Sequence, residues 1–568
     1  MRTVRYFLLL ALLGCALFSP RRSYAEGEVL MPGGAAAVSR GGAIAAKPVD
    51  AATLMHNPAG LTELDGHQGH YGLDFTVDSL CVQPYGYYGW GIALQEMRSG
   101  GAPNLDGRRS EFGDPASANY GRRALDKVCN SGSLVPVPQL AVSLNVAKKL
   151  SLALGMVAPA AVTGMQWGGS DGTIAVGNGA RPTPTRYEVV RQDVQFAFTA
   201  TFGAAYKALP WLSFGLSLQV AMASADVYQV MALRAGTSPS SDMMTKIHAS
   251  DYFVPALLGG VYAKPTRNIR IGATLAWSQG IDGSGNLTFY TNHYHHGAVD
   301  DEFIPYENPS TRIKRITAPA PLTATLALRY VQPLPGKEED ARDPLNSEWW
   351  DVELDASYVS SGHLGAAKAS VAEDISLQFK RADGTPADPL EIKASDLSAL
   401  SADRHGLDVY SLRLGGSYAI LPGMLQASAG GFFQSRGVEA AYVTVDNYSL
   451  ARIGFGLGMR VRLGPVDLSA AYSHVFQETL ELAPPKHEPR DQATEADATR
   501  GFDQRIYEDG MLTEKPLKDP RAPAINNADA VAQARQTAGF DSEKARVINA
   551  GRYTAGFNVF SIAVTHRF

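Results

Sequence analysis

The stretch "ARIGFGLGMRVRLG", residues 451–464, decides the fold. Its odd positions are Ala451, Ile453, Phe455, Leu457, Met459, Val461 and Leu463, and its even positions are glycine or arginine. Successive side chains of a strand point to opposite faces, so this is one apolar face backed by one small and basic face. No helix has that period. The same alternation runs through "DVQFAFTATFGAAY" (193–206), "NIRIGATLAWS" (268–278) and "VDLSAAYSHVFQ" (466–477). Strands of soluble sandwiches are usually about 5–6 residues long, whereas a tilted membrane strand needs about 9–11. These runs fit the membrane strand.

Outward from that stretch the chain offers fourteen candidate strands, at 66–77, 135–147, 150–159, 192–207, 211–230, 246–263, 268–279, 313–331, 349–360, 407–420, 423–435, 450–463, 465–477 and 555–568. Connectors alternate in length. Long ones include 78–134, 280–312, 361–406 and 478–554; short ones centre on 147–149, 208–210, 264–268, 421–423 and 463–466. Short periplasmic turns alternating with long outer loops, on an even number of strands, mark an outer-membrane barrel. The fold class expected is all-β, a transmembrane antiparallel barrel of about fourteen strands. On the twelfth strand Phe455 and Leu457 should face lipid and Arg460 and Arg462 the interior. Gly456, also inward, should then accept serine at little cost. The chain ends "FNVFSIAVTHRF", and its terminal Phe568 on an amphipathic strand suits recognition by barrel-assembly machinery.

Bulk properties agree. Mean hydropathy is −0.11, which a barrel tolerates because only every second residue meets lipid. A net charge of −5 gives no support for a nucleic-acid partner. Residues 1–25 read as a signal peptide: basic "MRTVR", apolar "YFLLLALLGCALF", then small residues before a cut after Ala25. An alternative stays open, since "LLGC" (12–15) resembles a lipoprotein signal with Cys15 lipidated. Either cut leaves Cys81 and Cys129, both in the first long connector. In an oxidising compartment these are expected to pair, closing a loop of about 49 residues at a gain of roughly 4 kcal/mol.

The segment before the first strand is distinctive. "GGAAAVSRGGAIAAKPVDAATL" (33–54) is almost all small residues and leads into Asn57-Pro58-Ala59-Gly60. Proline fixes φ, disfavours a helical Asn57, and Gly60 is conformationally free. A small-residue segment, then Asn-Pro-Ala, then fourteen strands resembles the outer-membrane long-chain fatty acid transporter family, FadL-like, which includes aromatic hydrocarbon channels. "LRLGGSYAI" (412–420) and "LGPVDLSAAYSHVF" (463–476) are further echoes. The resemblance implies that 26–65 is a hatch inside the lumen of a 66–568 barrel, with Asn57, Pro58, Ala59 and Gly60 in gating positions. It also implies a monomer in outer-membrane lipid and lipopolysaccharide, a hydrophobic small molecule as substrate, no cofactor, and no catalytic residue. Substrate-binding residues stay unnamed, because apolar pockets are built from ordinary side chains. The last outer loop, 478–554, is long for that family.

Other chemistry is less compelling. His293, His295 and His296 of "HYHH" suit a transition metal by type, but an exposed polar loop tip accounts for them, and no metal is expected. Ser473 and His474 are adjacent on one strand and so face opposite sides, which disfavours hydrolysis. "WW" (349–350) and "PYGYYGWG" (84–91) suit an aromatic girdle or loop packing. The function expected is uptake of hydrophobic molecules, long-chain fatty acids first. A non-specific porin, an outer-membrane enzyme and an adhesin remain as alternatives.

Overall fold

Alternation closes the chain on itself. The computed structural model describes residues 33–84, 87–88, 123–124, 126–132, 135–157, 164–170, 172–176, 179–186, 188–232, 242–290, 304–305, 307–336, 343–362, 364, 367–380, 384–394, 401–402, 405–482 and 551–568. Fourteen antiparallel strands form the barrel wall. They are β1 (Gln68–Asp78), β2 (Val135–Ala147), β3 (Leu150–Val157), β4 (Arg191–Leu209), β5 (Leu212–Ala232), β6 (Asp242–Ala263) and β7 (Ile269–Ser278). Then follow β8 (Leu322–Pro333), β9 (Glu348–Ser360), β10 (Val409–Leu421), β11 (Leu425–Gln434), β12 (Arg452–Leu463), β13 (Val466–Gln477) and β14 (Gly556–Arg567). The last strand returns to the first, in register from Gln68↔Arg567 to Asp78↔Phe557. Closure leaves no edge to satisfy, which lipid demands.

Side-chain exposure fixes the register. Leu457 is 53% exposed and Arg460 only 6%, so the apolar face of β12 looks outward and the Gly/Arg face inward. Exposed Leu326, Leu354, Leu414 and Ile562 continue the outward belt on other strands. Tyr206, Trp211, Tyr330, Trp349, Tyr418 and Phe568 stand exposed near the short-turn end, where amphipathic rings favour a membrane interface. Gly423 and Gly464 turn the chain there with φ of 80° and 62°, a conformation glycine adopts without steric cost. Among the described residues, no helix is long and apolar enough to cross a membrane.

Three strand boundaries differ from the sequence expectation. Strand seven does not stop at 279. After Gly280 it resumes as Ile281–Tyr290. The candidate at 313–331 is two pieces, Ser310–Ala318 and Leu322–Pro333. Pro319 and Pro321 remove backbone donors at the break. Connector 361–406 carries strands Ala367–Val371, Ile375–Lys380 and Pro386–Ile392. Ile281–Tyr290, Ser310–Ala318 and Ala367–Val371 continue the sheet of the wall past the expected strand ends, whereas Ile375–Lys380 and Pro386–Ile392 form a separate sheet with Ile304–Pro305.

At the long-loop end a four-stranded sheet joins Leu480–Leu482, Gly551–Thr554, Cys81–Pro84 and Val128–Cys129. Cys81 lies opposite Cys129 there and the two are joined by a disulfide. Val82, Val128, Leu480 and Tyr553 of this sheet join an apolar cluster with the wall and connectors. Phe432, Val475 and Phe557 supply it from the wall, and Trp167, Val443, Tyr448 and Leu450 from the connectors.

Candidate functional site

Residues 33–65 lie inside the barrel, and small side chains make that possible. Two short helices, α1 (Ala35–Ser39) and α2 (Thr53–His56), are followed by a 3-10 turn at Pro58–Glu63. Ala35 and Val38 of α1 pack on Ala471, Val559 and Ala563 of the wall. The inward glycines of β12 serve this contact. A Cβ on Gly456 would lie 1.9 Å from the Val38 carbonyl oxygen. The sequence expectation that Gly456 tolerates serine is therefore wrong: the inward face is not open lumen but the bed of a packed helix.

Asn57 is 2% exposed and holds the turn from its side chain. Its Oδ1 accepts from Ala59 N at 3.2 Å, and its Nδ2 donates to Ala45 O at 2.8 Å and to Val261 O of β6 at 3.1 Å. Both sides of the amide are used, so leucine of similar bulk would leave buried polar groups unpaired. Pro58 opens the turn without a donor to lose, and Ala59 is fully enclosed. Gly60 packs on Thr53 and Pro48, where a Cβ would come to 2.9 and 3.2 Å. Glu63 anchors the end of the segment to Lys207 and Lys264, at 3.1 and 2.6 Å.

A larger anchor was not anticipated from sequence. Asp351, Glu353 and Asp355 occupy alternate positions of β9 and so share its inward face. Arg40 meets Asp351 at 2.8 Å and Glu353 at 3.0 Å, and donates to Ser417 Oγ at 2.6 Å. Lys47 also meets Asp351 and lies 3.8 Å from Glu348. Arg329 of β8 pairs with Glu348, and with Asp351 at 3.2 Å. The backbone joins in: Ile44 N and Ala45 N donate to Asp355 at 3.0 and 3.1 Å, and Ala46 N to Glu353 at 2.6 Å. Burial pushes Lys47 down to about 8, opposed first by Asp351. The signal was visible in hindsight: Arg40 and Lys47 are the only cations among the small residues of 33–54.

A second ionic group rims the short-turn end. Asp467 takes Arg460, Arg462 at 2.7 Å and Arg567 at 2.5 Å, and Arg462 also reaches Asp343. Arg460 donates to Val49 O of the segment at 3.4 Å.

The remaining sequence candidates separate. Ser473 is buried inward and donates to Phe455 O at 2.7 Å, whereas His474 meets Asn558 at 2.9 Å on the outer face. They do not form a nucleophile and base pair. His293, His295, His296 and most of 84–91 lie outside the described residues. Among the described residues, no three His, Cys, Asp or Glu side chains are placed to hold a metal.

A closed fourteen-strand barrel enclosing its own N-terminal segment defines a class: the plugged transmembrane barrel. Within that class the fold is that of the FadL-like channels. The structure matches that of a Pseudomonas aeruginosa FadL homologue, with TM-score 0.57, 14% identity, and coverage of 96% of this chain and 100% of that one. It matches the Pseudomonas putida toluene transporter TodX with TM-score 0.54, 13% identity, and 94% and 98% coverage. For the Ralstonia pickettii toluene transporter TbuX the values are 0.51, 13%, and 95% and 99%. No protein-family model and no curated protein matches the chain.

Proposed function

We propose that the chain carries hydrophobic small molecules across the outer membrane of a Gram-negative bacterium, with long-chain fatty acids the first candidates. One observation carries this reading. The lumen holds an apolar cluster at the long-loop end and a buried plug beneath it, the opposite of the open aqueous path of a porin. The substrate enters among the outer connectors, lodges in the apolar cluster, and leaves sideways through the wall when the hatch, residues 26–65, shifts. Asn57 to Gly60 form the part of the hatch that gates. The proteins of like fold are a FadL homologue and two toluene transporters by name, which favours hydrophobic cargo over hydrolysis or adhesion.

Deletion of 27–60 tests the proposal. The barrel should still form, because strand pairing and the Phe568 end are intact. Conductance for small ions in a planar bilayer should rise, and selective uptake of a hydrophobic substrate should fall. Unchanged conductance together with easy proteolysis of 33–65 in the intact chain would identify a porin with a dispensable tail. Asn57→Leu is the finer test, with uptake reduced and barrel melting unchanged.

A further inference from the structure

Above the apolar belt, the outer face of the wall carries basic side chains that no acid offsets. The strands involved are β5, β6 and the added pieces Ile281–Tyr290, Ser310–Ala318 and Ala367–Val371. Val227 of β5 packs on the apolar cluster of the lumen, so its neighbours Asp226 and Tyr228 point outward. Register carries that face across the sheet. Asp226 stands opposite His248, His248 opposite Asn286, and Asn286 opposite Arg312. The other face of these strands, with Leu287, Ile313 and Val371, is buried in a core of its own. A shift of register at Lys314 follows, after which Thr317 stands opposite both Asp282 and Lys368 on the outward face.

Charges on this face do not balance. Asp226 is held by Lys246 at 2.9 Å and His248 at 2.7 Å, and Asp282 by Arg315 at 2.7 Å. Arg312, Lys314 and Lys368 are exposed. Among the described residues none of these three side chains has an ion-pair or hydrogen-bond partner. Just below them Phe253, Trp277, Ile281 and Leu322 stand exposed as the upper edge of the lipid belt. Lys368 is level with Asp282, at that edge. Arg312 is level with Asn286, and from Ile281 to Asn286 a tilted strand climbs about 12 Å. The long loops mark this end as the outer leaflet.

We propose that Arg312, Lys314 and Lys368 bind the phosphates of a lipopolysaccharide molecule whose acyl chains lie on Phe253, Trp277, Ile281 and Leu322. This rests on the outer-membrane placement above and adds a lipid site on the outside of the wall, apart from the lumen. Arginine and lysine hold phosphate through charge-assisted hydrogen bonds. A soluble anion would use the cations and leave the apolar edge uncovered, and an uncharged acyl chain would do the reverse. A glycerophospholipid meets both, but its single phosphate sits at the edge of the belt, beside Lys368, and leaves Arg312 unmet. Phosphates spread over a sugar headgroup span the climb from Lys368 to Arg312.

The test uses the full mature chain in a non-ionic detergent and two probes, bisphosphorylated lipid A and the same lipid with its phosphates removed. The wild type should bind the phosphorylated form about tenfold or more tightly, and raising the salt should shrink that preference. Arg312→Gln, Lys314→Gln and Lys368→Gln combined should bring the ratio near one, with barrel melting unchanged because all three are exposed. Lys148→Gln with Lys149→Gln, exposed at the short-turn end, should leave the ratio as it was. A ratio near one in the wild type overturns the site. So does a ratio that survives the triple replacement, or one that the Lys148 and Lys149 changes abolish equally. Phosphatidylglycerol bound as tightly as phosphorylated lipid A would refute the lipopolysaccharide assignment. Folding into lipid vesicles is measured alongside. A chain that inserts and ignores lipid A loses this site alone; one that does not insert loses the outer-membrane reading and the site with it.

Discussion

Gly456→Ser puts the packing of the N-terminal segment to a direct test. The new Cβ would lie 1.9 Å from Val38 O and 3.2 Å from Gly41 N. A carbon–oxygen contact needs about 3.3 Å, so α1 must retreat by roughly 1.4 Å. It has little room to do so. Arg40, one residue past α1, is fixed to Asp351 and Glu353, and Gly34 N donates to Asp74 at 2.8 Å. Overpacking of this kind costs about 1–3 kcal/mol, a shift of roughly 5- to 150-fold between docked and undocked segment. Hydrogen exchange of the amides in 35–62 should accelerate by that factor while exchange in the barrel strands is unchanged. The same substitution in a chain lacking 27–60 should cost the barrel nothing, because the clashing carbonyl is gone. An equal penalty in both backgrounds would place the strain in the wall and refute the argument. So would unaltered exchange in the intact chain.

Leu457→Arg, one residue away on the outward face, should instead cost the barrel about 2–4 kcal/mol if it lies near the midplane, read by folding into lipid vesicles. Asp351→Ala leaves Arg40, Lys47 and Arg329 facing one another, and removal of one partner from buried ion pairs costs about 3–5 kcal/mol. Adding Lys47→Met should return part of it, and strict additivity of the two changes would deny the coupling. His56 supplies a pH dependence. Burial pushes it down to about 4, against the pull of Asp50 and with His70 as a further neighbour. A lowered folded value means the docked segment resists protonation. Its docking should be complete above pH ~6.5, the ordinary value for histidine, and weaken as pH falls towards 4. Protease protection of 33–65 should decline across that window and be flat above it.

The wall was legible because its chemistry is periodic. Val135–Ala147 matches the expected 135–147, and most other strands agree within a few residues. Misjudged pieces have local causes. Gly280, Gly283 and Gly285 hide the continuation of strand seven from any hydrophobic pattern, and Pro319 and Pro321 were read through. The interior was less legible, since a period of two says which face is inward but not what rests on it. Gly456 looked like an open position, although Val38 from a segment far away in sequence lies on it. Asp351, Glu353 and Asp355 alternate with Val352 and Leu354 in plain view. Their meaning depends on Arg40 and Lys47, and no local rule links residues some three hundred positions apart.

The sheet at the long-loop end has a consequence for how this protein can change. Leu482 and Gly551 are paired neighbours, so the chain leaves for residues 483–550 and returns at one doorstep. A hairpin already holds the two ends together, and the entropy of closing a loop grows only with the logarithm of its length. The closure cost of whatever connects those two residues therefore changes little with its length. In closure terms the pair is a socket: a foreign segment whose ends lie close together would meet the barrel at the same two residues as the native one.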